Sequence, residues 1–111
     1  MEKIDQYRQY IKDILTDYAS KSPDDGEVEA VTIFDPERDH YQVVYTGWKG
    51  QRSQYGCVLH FSIKNEKIWI YYDGTEIGFA NEFVRLGVPK GDIVLAFQDP
   101  FTRQYSGFAV S

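Results

Sequence analysis

YGCVLHFSIKNEKIWIYYDGTEIGFANEFVRLGVPKGDIVLAF, residues 55–97, reads as strand, tight turn, strand, capped helix and strand, with almost nothing left over for a specialised loop. Tyr55 to Lys64 and Lys67 to Tyr72 pair as a hairpin around Asn65-Glu66, since asparagine tolerates the positive φ that two-residue turns require. Asp73 with Glu76 three residues on resembles a capping box for the helix that follows, with Thr75 as an alternative N-cap. Ile77, Ala80, Phe83, Val84 and Leu86 give that helix an apolar face. Gly87 supplies a left-handed residue beyond the last turn, Val88 packs back against it and Pro89 prevents resumption. Pro89-Lys90-Gly91-Asp92 then turns into Ile93–Phe97, an apolar run that predicts a short buried strand.

Upstream, Ile4, Tyr7, Ile11, Ile14, Leu15 and Tyr18 recur at steps of three and four, one stripe of an amphipathic helix over residues 3–19. Pro23 forbids its continuation, and residues 23–27 form a turn or short linker. Val28–Phe34 is a strand rich in β-branched residues, closed by Asp35-Pro36-Glu37-Arg38-Asp39, whose proline pre-sets a type I turn. His40–Trp48 is the next strand, and Lys49-Gly50-Gln51-Arg52-Ser53 is a second polar turn. Four consecutive strands with short connections predict an antiparallel meander. Beyond Asp99-Pro100 the tail FTRQYSGFAVS alternates weakly and reads as loop or edge strand. The expected architecture is α+β: an N-terminal helix, an antiparallel four-strand meander, a second helix and a further short strand. Both helices pack on one face of the sheet, in a single domain over residues 1–111.

The chain has 111 residues, enough for one core without staples. Twelve basic against 17 acidic residues leave a net charge of −5. A protein that grips a phosphate backbone usually shows a basic face, because counterion release supplies most of that affinity. The charge balance therefore disfavours autonomous DNA binding, with a local patch of Lys49, Arg52 and Arg103 as the alternative; a basic protein partner fits better. Aromatic residues make up 16%, nine of them tyrosine, which suits a half-buried sheet or a contact surface. The single cysteine, Cys57, permits no internal disulfide and sits in an apolar run, where a thiol behaves as a small buried hydrophobe. Neither a signal peptide nor an apolar run long enough for a membrane span is present, so the expected compartment is the cytoplasm.

Few chemistry-bearing residues converge in the sequence. Arg38-Asp39-His40 concentrates polar groups at a turn and invites a general-base reading, but Asp39 capping the turn and His40 opening a strand is the simpler one. His60 alternates with Leu59 and Phe61 and faces away from them. Cys57 and His60 stand three apart, an odd spacing that puts them on opposite faces of a regular strand. A metal or ligand site built from His40, His60 and Asp73 is conceivable, yet no catalytic residue, cofactor or metal is expected. What remains is surface: Trp48, Arg52, Tyr71, Tyr72 and Arg103 are residue types that anchor protein contacts. Tyr71 and Tyr72 are consecutive, so at least one faces away from the core, and an outward tyrosine beside Trp48 could seed an interface or a homodimer. With Arg38, Asp39, His40, His60, Asp73 and Glu76 they make up the candidate interaction surface.

FDPERDHYQVVYTGW (residues 34–48), YGCVLH (55–60), KIWIYYDGTEIG (67–78) and GVPKGDIVLAF (87–97) together closely resemble the XisI proteins, fdxN-element excision controlling factors of heterocyst-forming cyanobacteria. YRQYIKDILTDYA (7–19) extends the resemblance over nearly the whole chain. Asn65-Glu66 stands where a glycine-containing turn is expected, and Tyr71, Tyr72 and Phe79 are bulkier than the pattern. The resemblance implies a regulatory, non-enzymatic role in the site-specific recombination that removes a DNA element during differentiation. The implied partners are an XisH-like protein of nuclease type and a recombinase. It transfers no catalytic residue.

Overall fold

The computed structural model of the protein describes residues 2–21 and 27–111, so the helix stop at Pro23 and the turn over residues 23–26 lie outside the described residues. Helix α1 (Lys3–Lys21) buries Tyr7, Ile11 and Leu15 along one side, as the three-and-four spacing requires. Strands β1 (Val28–Asp35), β2 (His40–Lys49), β3 (Arg52–Lys64) and β4 (Lys67–Asp73) form the expected antiparallel meander. Helix α2 (Phe79–Arg85) and a 3₁₀ turn at Lys90–Asp92 carry the chain to β5 (Ile93–Leu95), which joins β4 in parallel. A parallel pair needs such a crossover, because a tight turn can only reverse the strand. The result is an α+β fold on a five-stranded sheet in sequence order.

Helices α1 and α2 cover one face of the sheet. Tyr41, Val43, Leu59, Phe61, Ile68, Ile70, Ile93 and Leu95 point into the core, where Tyr7, Ile11, Leu15, Phe79 and Phe83 meet them. On the opposite face the short helix α3 (Pro100–Arg103) and the tail lie against Trp69 and Val94 near β4 and β5, and the β1–β3 part carries no helix. Two bulges interrupt the ladder. Val43 faces Leu59 while Val44 faces Cys57, leaving Val58 extra, and Phe61 faces Ile70 while His60 faces Tyr72, leaving Tyr71 extra. Each extra residue shifts the alternation by one.

The punctuation holds in part. Asn65 (φ 54°) and Glu66 (φ 61°) are both left-handed, as a two-residue hairpin turn demands. Glu66 thus occupies in strained backbone the place where a glycine is usual. The end of α2 matches the expected motif. Gly87 has φ 104°, its N–H donates to the Val84 carbonyl, and Val88 N–H reaches back to Phe83 at 3.0 Å.

Its start does not. The helix begins at Phe79 after a left-handed Gly78, so Glu76 lies in the preceding loop, exposed, and there is no capping box. Ile77 is likewise outside the helix and 55% exposed. The tail also departs from expectation. Asp99 caps a short helix, α3 (Pro100–Arg103), accepting from Thr102 N–H at 2.9 Å, with Pro100 in the first turn. The tail forms no strand; Ala109 pairs with β5 through one bridge to Val94.

Candidate functional site

The uncovered face of the sheet gathers most of the predicted surface residues, and the loops at its ends dispose of the others. Asp39, left-handed at φ 57°, points its carboxylate at α1. Arg8 donates to both of its oxygens, Nε at 2.7 Å and Nη2 at 2.9 Å, and the Tyr41 hydroxyl donates to Oδ1 at 2.8 Å. The Arg8 guanidinium holds the Asp39 carboxyl below the usual carboxylate range, while burial and Asp39 push Tyr41 up to about 12. Asp39 is therefore a clamp between helix and hairpin. It is not the partner of His40 in a general-base pair.

A group whose folded pKa is depressed adds stability above its unfolded value, about 3.9 for aspartate, and loses it as pH falls through the folded value. Asp39→Asn keeps a residue that tolerates the left-handed backbone and removes only the charge. With Arg8 one-third exposed, solvent screens part of the pair. The substitution is expected to cost about 1–2 kcal/mol at neutral pH. That difference should shrink toward zero in urea titrations run progressively below about pH 4. A difference that stays constant down to strongly acid pH would show that Asp39 acts through packing instead.

His40 and His60 come together on the uncovered face. His40 lies opposite Ser62 and His60 opposite Gln42, which makes the two histidines diagonal neighbours. His40 Nδ1 and His60 Nε2 are 3.0 Å apart, and the Tyr71 ring stacks on His40 with centroids 5.8 Å apart. Burial, and then the neighbouring His40, hold His60 below the ordinary imidazole value. Trp69 stacks in turn on Tyr71 at 6.4 Å. Asp73 does not join them. Its carboxylate organises the β4–α2 loop, accepting from Thr75 N–H, the Thr75 hydroxyl and Phe79 N–H at 2.9, 2.6 and 3.0 Å. The helix start is thus capped from six residues upstream, a span that no local motif encodes. Among the described residues no three His, Cys, Asp or Glu side chains form a metal-binding group.

The remaining residues separate. Trp48 is 57% exposed at the far end of the β2–β3 hairpin, where Lys49 faces Arg52. Arg103 is not part of a basic patch there. Its guanidinium lies over the Trp69 ring at 5.7 Å and donates to the carbonyls of Leu95, Ala96, Gln98 and Val110. Trp69 faces Ser62, about ten strand residues or roughly 30 Å from Arg52, so the three cations expected together do not converge. Arg38 is exposed and paired with Asp35. Tyr71 is half-buried and Tyr72 is 50% exposed, so neither enters the core.

Two corrections change the picture of this face. The outward tyrosine near Trp48 is Tyr55, 79% exposed, which alternation alone did not single out. Cys57 is exposed rather than buried. The bulge at Val58 sets it opposite Val44, on the same side as His60, overturning the opposite-face expectation from their spacing. Partial burial still pushes the thiol pKa up, which disfavours a reactive thiolate. Val44 is nearly buried on this side, and Ile33 beside it is 44% exposed.

No helix among the described residues is long and apolar enough to cross a membrane. No curated protein matches the chain. The XisI protein family model matches residues 1–110. A solved structure of an XisI-like protein from Anabaena variabilis ATCC 29413 superposes with a TM-score of 0.94 at 44% identity, covering 97% of this chain and 99% of that one. The structure of the fdxN element excision controlling factor XisI from the same organism superposes with a TM-score of 0.87 at 32% identity, covering 99% and 100%. Sequence strings, sheet order and whole-chain superposition agree: the chain belongs to the XisI family.

Proposed function

We propose that this protein is a non-enzymatic regulator of DNA-element excision that acts in the cytoplasm by docking its uncovered sheet face on a protein partner. Support for excision control comes from the 32%-identical relative named as an fdxN element excision controlling factor. The observation that carries the docking is the β1–β3 part of that sheet face, which no helix covers and on which Trp48, Tyr55 and Ile33 stand exposed. Aromatic anchors surrounded by polar groups are what protein interfaces concentrate, and monomeric surfaces seldom cluster them. The net charge of −5 suits a partner with a basic docking surface, such as a DNA-acting protein. An XisH-like companion of nuclease type is that partner, with a site-specific recombinase as the enzyme whose output changes.

Trp48→Ala with Tyr55→Ala tests the reading. Both side chains are largely solvent-exposed, so the melting temperature should stay within a few degrees of the parent. Binding to the XisH-like companion, measured by calorimetry, should weaken about tenfold or more. Absence of binding by the parent protein at micromolar concentration would sink the proposal, as would unaltered affinity of the double variant. A gel shift with excision-site DNA at low salt, dependent on Lys49 and Arg52, would replace it with direct DNA contact.

A further inference from the structure

The two histidines meet in a way that a hydrogen bond does not exhaust. His40 Nδ1 and His60 Nε2 are 3.0 Å apart, and both can be lone-pair donors when the protons sit on the distal nitrogens. Metal–imidazole bonds run about 2.0–2.1 Å, so a 3.0 Å separation subtends about 91–97° at a shared ion. That is the cis angle of square or octahedral coordination, well short of the tetrahedral value of about 109°.

The surroundings hold the pair in place. Tyr71 stacks on the His40 ring and tilts against His60 at 5.2 Å, while the Arg8–Asp39 clamp anchors the residue before His40. His40 is open to solvent, which gives an ion an entry path and water ligands. Ser62, directly opposite His40, keeps a buried hydroxyl without a hydrogen-bond partner.

We propose that His40 Nδ1 and His60 Nε2 form a bidentate site for a divalent late transition-metal ion of square or octahedral preference, Ni2+ or Cu2+, its other positions filled by water. The site lies on the same uncovered face as the proposed docking surface, and its test needs no partner. Ni2+ is the probe, because Cu2+ would oxidise the exposed Cys57 thiol and confuse the readout.

Calorimetric titration of the tag-free protein with Ni2+ at neutral pH should show one ion per chain. His40→Ala and His60→Ala, each alone, should weaken binding about tenfold or more. His60→Gln, which keeps a polar side chain in the half-buried position, should lose binding to the same extent while unfolding at the parent's temperature. Zn2+, which prefers tetrahedral ligands, should bind more weakly than Ni2+. Unchanged Ni2+ affinity in any of these histidine variants, or tighter binding of Zn2+ than of Ni2+, overturns the site.

Discussion

Gly47→Ala is expected to cost the protein about 3–5 kcal/mol, a large part of the roughly 5–15 kcal/mol that holds a small domain folded. Gly47 sits near the end of β2 with φ 141°, a backbone conformation that side chains rarely adopt. A methyl group there would lie 1.9 Å from the Glu27 carbonyl oxygen and 2.7 Å from Val28 Cα. Both are backbone atoms, so no side chain can swing away to relieve the contact. The clash falls where Gly47 pairs with Val28 and the Trp48 N–H donates to the Glu27 carbonyl at 3.0 Å. The start of β1 must therefore peel from β2, and the edge of the sheet loosens with it. Urea denaturation followed by circular dichroism measures the effect. Gly56→Ala is the control, because a methyl at Gly56 meets nothing within 4 Å, and it should be close to neutral. A loss below about 1 kcal/mol for Gly47→Ala would show that the approach of β1 is not obligatory.

Phe83→Ala is expected to destabilise by about 3–5 kcal/mol for a different reason. Phe83 is fully buried, and its ring meets Phe61 edge-to-face at 5.4 Å. Truncation removes that aromatic pair and leaves a cavity between α2 and the middle of the sheet. Helix α2 spans only seven residues, too few to persist without tertiary packing. Phe79 and Phe83 are the residues it buries, one turn apart on the same side. The neighbouring Phe79 ring also meets Phe61, at 6.0 Å, so the remaining contact should hold α2 weakly. Hydrogen exchange should accordingly show amides of residues 79–88 opening well before those of β2 and β3. Equal protection of α2 and the central strands in Phe83→Ala would contradict this account.

Legibility followed the range of each interaction. The hairpin turn at Asn65-Glu66 and the stop at Gly87-Val88-Pro89 were readable because a few adjacent residues set both the backbone angles and the hydrogen bonds. The α1 stripe was readable because helical periodicity repeats within a short window. The start of α2 was misread for the converse reason: Asp73 reaches six residues forward to Phe79, skipping the spacing that a capping box prescribes. Asp99-Pro100 did carry a local helix-start signal, but a four-residue helix has too little periodicity to show in the tail. At the surface, Trp48 and Arg38 could be taken as exposed from polar surroundings alone. Arg103 could not be placed, since its five-donor head is satisfied by carbonyls that the fold brings around it.

The sequence by itself determined the element order as far as β5, the meander, the helix-covered core and the acidic charge, because alternation, helical stripes and turn chemistry act over a few residues. Only the tertiary structure decided that Val58 and Tyr71 bulge, and each bulge resets which side chains share a face. That reset puts exposed Cys57 on the side of His60, while the β2–β3 register brings His40 within 3.0 Å of His60 across twenty residues of chain. The same packing takes Asp39 into a clamp with Arg8 and makes Gly47 irreplaceable beside Glu27. Strand register and close backbone approach are properties of the assembled sheet. A period-two pattern tolerates either side of a bulge equally until the partner strand is in place.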